Sequence, residues 1–90
     1  MPEITGWEQQ VLDLEPGEEL IFETESVRHC YWIVLEGWAC ASVEGVSIDL
    51  EPGQVISIVP YSQAKLNNFG INKLTVLATW LEITKKKVQV

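Results

Sequence analysis

Histidine occurs once in these 90 residues, at position 29. One chain therefore cannot supply a metal site built on two or three histidines. Cysteine occurs twice, as Cys30 and Cys40, with neither zinc-knuckle spacing nor a histidine cluster nearby. A reduced, cytoplasmic setting is the economical expectation. Cations are also few. Lysine plus arginine numbers 6 against 13 aspartates and glutamates, a net charge of −7. Three of the six are Lys85, Lys86 and Lys87, so residues 1–84 carry 3 − 13 = −10. Such a surface repels phosphate backbones, and no nucleic-acid partner is expected. The longest apolar run, Cys30 to Leu35, is far short of a membrane span, and no membrane partner is expected. The Met-Pro-Glu-Ile opening has no basic or apolar leader, so no secretory signal is expected. No nucleophile elbow, phosphate loop or dinucleotide fingerprint occurs.

What is present is an ordinary globular composition, 47% apolar and 21% charged. The length suits one domain with a thin core, which makes burial against a partner plausible. Turn residues recur at short spacing: Pro16-Gly17, Glu36-Gly37, Glu44-Gly45, Pro52-Gly53, Pro60, and Asn67-Asn68 with Gly70. Between them lie runs rich in β-branched and aromatic residues. Leu20–Thr24, Tyr31–Leu35, Trp38–Val43, Val46–Leu50, Val55–Val59 and Leu74–Ile83 read as strands. No window holds a helical apolar period. Glu44-Gly45 and Glu36-Gly37 both fit tight hairpin turns. Strands this short, with turns every 8–12 residues, predict an all-β sandwich or barrel. Leu14-Glu15-Pro16-Gly17 recurs as Leu50-Glu51-Pro52-Gly53, 36 positions on (50 − 14). Each copy precedes an apolar strand, which suits two interleaved Greek keys forming a small jelly roll. The expected division is residues 1–10 as an N-terminal extension or edge strand, 11–84 as the single domain, and 85–90 as a basic tail.

Residues 16–37 read PGEELIFETESVRHCYWIVLEG and residues 50–70 read LEPGQVISIVPYSQAKLNNFG. These stretches resemble the first and second motifs of the cupin superfamily. The subgroup most resembled is the small mannose-6-phosphate isomerase-type cupins, including the C-terminal domain of bifunctional mannose-phosphate enzymes. Gly17, Gly37 and Gly53 match framework glycines and Pro60 the framework proline. Arg28, Trp32 and Val34 match that subgroup's Arg, Trp and Val. Leu66–Gly70 resembles its L-E-N-P-G ending. The resemblance implies a double-stranded β-helix, or small jelly-roll barrel, over about residues 11–83. It also implies a metal site at Glu23, Glu25, Cys30 and Lys65 (or Ala64, with the register one residue over). None of those positions holds its usual ligand, and the glycine at Ser62 is missing too.

The candidate cavity residues are Glu23, Glu25, Cys30, Trp32 and Lys65. Glu23 and Glu25, two apart on one strand, would share a face. Facing a small cavity, one carboxyl would titrate high and serve acid–base chemistry or a hard cation; near an open mouth both would be solvated. Cys30 reads as a buried neutral thiol among carboxylates, with the thiolate as the alternative. Lys65 fits an anionic ligand or an exposed loop. Trp32, in phase with Cys30 and Val34, should point inward, to fill the core or to stack on a sugar. His29 should face outward. In Trp38–Val43 the small set Ala39, Ala41 and Val43 suits the inside. Trp38 and Cys40 then lie outside, and with Trp80 they form the expected surface of a homodimer. Lys85–Lys87 reads as a solvated tail or edge protection.

Three functional readings follow. The first is a metal-independent cupin that binds a small molecule, a carbohydrate or sugar phosphate, with no cofactor. The second is a divergent isomerase in which a divalent metal, held by Glu23, Glu25 and Cys30, polarises a carbonyl. The third is a structural or protein-interaction module with a filled barrel.

Overall fold

The computed structural model describes residues 2–23 and 28–85. Eight strands make up the fold: β1 (Pro2–Leu14), β2 (Glu19–Glu23), β3 (Arg28–Glu36), β4 (Ala39–Val43), β5 (Val46–Leu50), β6 (Val55–Ile58), β7 (Gln63–Asn67) and β8 (Leu74–Lys85). They form two four-stranded antiparallel sheets, ordered β1-β8-β3-β6 and β2-β7-β4-β5. Among these strands only β4 and β5 are both consecutive and paired. Every other connection crosses between sheets, which is the jelly-roll path. The all-β, two-Greek-key expectation is met.

The β4–β5 turn is a two-residue loop with φ of 50° at Glu44 and 80° at Gly45. Positive φ at both positions marks the primed turn that matches strand twist. Glu36-Gly37 makes no hairpin. The chain leaves the first sheet there and enters the second. Gly37 sits at φ 90°, and a Cβ on it would lie 2.7 Å from the Lys73 carbonyl oxygen. The crossing is thus too tight for any other residue.

One strand was not legible, and the edge strand expected at the N-terminus runs further than expected. β7 reads Gln-Ala-Lys-Leu-Asn and has no β-branched or aromatic residue, yet it fills the middle of the second sheet against β2 and β4. β1 runs unbroken across the boundary expected at residue 10 and pairs with β8 from Pro2↔Lys85 to Leu14↔Leu74.

The repeated L-E-P-G segments occupy equivalent places. Glu18 and Gln54 donate their backbone N–H to the carbonyls of Glu15 and Glu51, both at 3.0 Å. Their side-chain oxygens accept the N–H of the same Glu15 and Glu51, at 2.8 and 2.7 Å. Gly17 and Gly53 sit at φ 87° and 88°, as the third residue of a type II turn requires. The Gly17 N–H reaches the Asn68 carbonyl after β7, and the Gly53 N–H reaches that of Val34 in β3, both at 2.8 Å. One turn locks each half of the barrel.

Inward positions alternate along the strands. Cys30, Trp32 and Val34 of β3, Ala39 and Ala41 of β4, Ala64 and Leu66 of β7, and Leu74, Val76 and Ala78 of β8 are all buried. Leu14 and Leu50 close one end of the barrel. Asn68, fully buried beside them, donates to the carbonyls of Leu14 and Asn72 at 2.9 Å and accepts the Gly70 N–H at 3.0 Å. Its polar atoms are matched, so burial costs little.

Candidate functional site

The other end of the barrel is aromatic. Phe22, the last inward position described on β2, meets Trp32 edge to face with ring centroids 6.2 Å apart and Trp80 with centroids 6.0 Å apart. The register explains the cluster. Cys30 pairs with Trp80 across β3–β8, and Phe22 pairs with Ala64 across β2–β7. Trp32 is 1% exposed, whereas Phe22 and Trp80 remain half-buried. Val46 and Ile48 pair with the inward Val43 and Ala41, yet both are exposed. The gap between the sheets is therefore uncovered along β5.

Arg28 stands at the edge of the aromatic cluster. The guanidinium lies 5.8 Å from the Trp80 ring centroid and donates to a Glu8 carboxylate oxygen at 2.8 Å. The Glu8 side chain is well exposed and that of Arg28 partly so, and a pair this solvated contributes only ~0–1 kcal/mol.

Cys30 is fully buried, and burial pushes its thiol up to about 11, against smaller opposing effects of the Arg28 charge and the Trp32 indole. At neutral pH it is an inert neutral thiol, a poor nucleophile and a poor metal ligand. The Trp32 indole N–H lies close enough to favour the thiolate slightly. It nevertheless finds no properly placed acceptor, and it is a fully buried donor without a hydrogen bond.

The expected cavity set is only partly assembled. Cys30 and Trp32 are inward and adjacent. Lys65 is not with them: it alternates with buried Ala64 and Leu66 and points to solvent, so the inward position is Ala64. A one-residue shift of phase on a strand moves a side chain to the opposite face. Glu23 ends β2 with its backbone paired to Gln63, and Glu25 lies outside the described residues. Phe22 and Trp80 were missed as site residues. The signal for Phe22 was its β2 phase with Leu20, and for Trp80 its phase with Leu74, Val76 and Ala78.

The expected dimer residues do not share a face. Trp38 and Cys40 belong to the outer side of the second sheet, whereas Trp80 faces the interior from the first. Both cysteines are free and lie on different sheets, which keeps them apart.

Among the described residues, no three His, Cys, Asp or Glu side chains gather into a potential metal centre. Among the described residues, the buried thiol of Cys30 and indole N–H of Trp32 at the aromatic end do not fit a divalent cation.

No family model and no curated protein matches the sequence. Solved structures do match in fold. A predicted oxalate decarboxylase from Thermotoga maritima superposes with a TM-score of 0.76 at 19% identity, over 82% of this chain and 64% of that one. The cupin_2 domain of an XRE family transcriptional regulator from Enterobacter cloacae gives 0.78 at 11% identity, over 89% and 93%. KdgF from a Halomonas species gives 0.77 at 13%, over 90% and 78%. The chain thus spans just under two thirds of the Thermotoga protein and nearly all of the Enterobacter domain. At these identities the likeness establishes the fold, which is that of the cupins.

Proposed function

We propose that this small cupin-fold protein binds a small molecule at the aromatic end of its barrel without using a metal, and that the ligand is a carbohydrate or sugar phosphate. The observation that carries the reading is the half-buried Phe22–Trp80 pair backed by Trp32, with Arg28 at its rim. Aromatic faces offer a flat apolar platform to the C–H face of a sugar ring. The guanidinium, which also holds Glu8, carries the charge and planar donor geometry that suit a phosphate or carboxylate. Trp32 adds a buried N–H without a hydrogen-bond partner, a donor for a ligand oxygen. Every role here is binding and orientation; no bond-breaking step is assigned.

The test is thermal unfolding in the presence of chelator with a panel of hexoses, hexose 6-phosphates and uronates. At ten times its dissociation constant a ligand stabilises the fold by about 1.4 kcal/mol, which for a domain of this size raises Tm by several degrees. The shift should vanish in Trp80→Ala and shrink for anionic ligands in Arg28→Ala. A shift that requires added Mn²⁺ or Zn²⁺ would favour the isomerase reading through Glu23 and Glu25. No shift with any compound, with or without metal, would favour the filled barrel that the closely packed Trp32 and its alanine neighbours also allow.

A further inference from the structure

Three turns among the described residues place a proline directly before a residue of positive φ. Pro16-Gly17 and Pro52-Gly53 lie toward the end closed by Leu14 and Leu50, with φ 87° and 88° at their glycines. Pro60-Tyr61 is the third, and Tyr61 sits at φ 61°. Glycine takes such a conformation freely, whereas a Cβ there crowds the backbone. Only one other described residue that is not glycine has a positive φ, Glu44 in the β4–β5 turn. Hydrogen bonds offset the strain at Glu44. Its carboxylate accepts the Gln63 N–H at 2.8 Å, and its own N–H reaches the Gln63 carbonyl at 3.0 Å. Packing does not offset it at Tyr61, which is 69% exposed.

Strand register places Tyr61 at the aromatic end. Residues 59–62 link β6 to β7 and so cross from one sheet to the other. Ile58 ends β6 opposite Cys30, whose other neighbour is Trp80. Gln63 opens β7 opposite Glu23, one residue beyond Phe22. Pro60 has its own φ fixed by its ring, and Ser62 is buried, so the turn is held on both sides of Tyr61. Val59 in the same link is exposed, as is Val46, which pairs with Val43 at the level of Ala64 and Phe22. This side of the end is apolar, unlike the side that carries Arg28 and Glu8.

We propose that Tyr61 is a further binding residue of the aromatic site, its ring supplying another aromatic face to the sugar ring that Phe22 and Trp80 hold. The inference rests on the carbohydrate reading above. The turn alone calls for glycine, as both other turns show. Strain that the fold itself does not use belongs with a ligand site, where it fixes a side chain before the ligand arrives. Tyrosine suits that place: a rigid ring with few torsions to order, apolar on its faces and polar at its tip.

Tryptophan fluorescence in chelator, titrated with the same hexoses, hexose 6-phosphates and uronates, tests this. For the compound that binds the wild type best, Tyr61→Asn should weaken binding roughly five- to tenfold, as loss of one aromatic contact would. Asparagine tolerates positive φ, so Tm without added compound should hold or rise. Tyr61→Phe keeps the ring and should bind nearly as the wild type does. Unchanged affinity in Tyr61→Asn, with binding lost in Trp80→Ala, would overturn this inference and leave the carbohydrate site standing. A lower Tm for Tyr61→Asn without compound would also overturn it, because the ring would then serve the fold. If no compound binds the wild type, the carbohydrate reading fails and this inference fails with it.

Discussion

Cys30 and Cys40 lie ten positions apart in sequence and on opposite sheets, and their surroundings set different chemistry. Cys30 has no exposed surface, and its thiol is pushed up to about 11 by burial. Cys40 is half-buried on the outer side of β4; burial and then the Asp49 charge raise its thiol above the ordinary value. A thiol reagent should therefore modify Cys40 alone in the native protein, slowly, and both cysteines in denaturant. Rapid native labelling of two thiols would contradict the burial of Cys30. The same burial fixes a pH dependence. The unfolded Cys30 thiol loses its proton near 9.0, whereas the folded one keeps it to about 11. Below pH 9 both states hold the proton and stability is unaffected. Between about 9 and 11 the unfolded state binds fewer protons, so stability falls as pH rises, by about 2–3 kcal/mol in all. In Cys30→Ala, denaturant unfolding measured from pH 8 to 11 should show a flatter alkaline decline.

The elements show how far the sequence reports its own fold. β3, β5 and β6 were legible because β-branched and aromatic residues mark them. β7 was not, because Gln63–Asn67 owes its strand to neighbours on both sides rather than to its own propensities. The same gap hid the fate of Lys65: without the strand, its phase against Ala64 could not be read. Within the candidate site, Cys30 and Trp32 were legible from alternation along β3. Phe22 and Trp80 were not, because their meeting depends on cross-sheet packing that no single strand encodes. The two L-E-P-G turns were legible as a repeat, and their hydrogen bonds make that repeat a matched pair. Gly17→Ala and Gly53→Ala should cost about the same, roughly 1–2 kcal/mol each, because only positive φ is at stake and a Cβ meets open space. Gly37→Ala should cost more than either, since its Cβ must also displace the backbone at Lys73 and Leu74. Equal losses at all three glycines in urea unfolding would refute that distinction.

At the scale of the molecule, one jelly roll presents three different regions. Leu14, Leu50 and the matched Asn68 seal one end. Phe22, Trp80 and Arg28, each only partly buried, line the other end. The outer face of the β1-β8-β3-β6 sheet, where Trp7, Val11 and Val55 are exposed, is a third feature, separate from both. The framework is a cupin's, but the described interior holds aromatic rings and a neutral thiol where metal ligands would be needed. That combination supports the proposal of binding without a metal. The four tryptophans sample these regions separately: Trp32 and Trp80 at the aromatic end, Trp7 on the outer face of the first sheet, Trp38 on the second sheet. The most direct measurement is therefore the ¹⁵N-edited NMR spectrum of the indole N–H groups, assigned by substitution, in chelator, as hexose 6-phosphates and uronates are titrated. The account predicts that one of them moves the Trp80 and Trp32 signals in step and leaves Trp7 and Trp38 in place. Signals that stay fixed for every compound, or that respond only once metal is added, would contradict it.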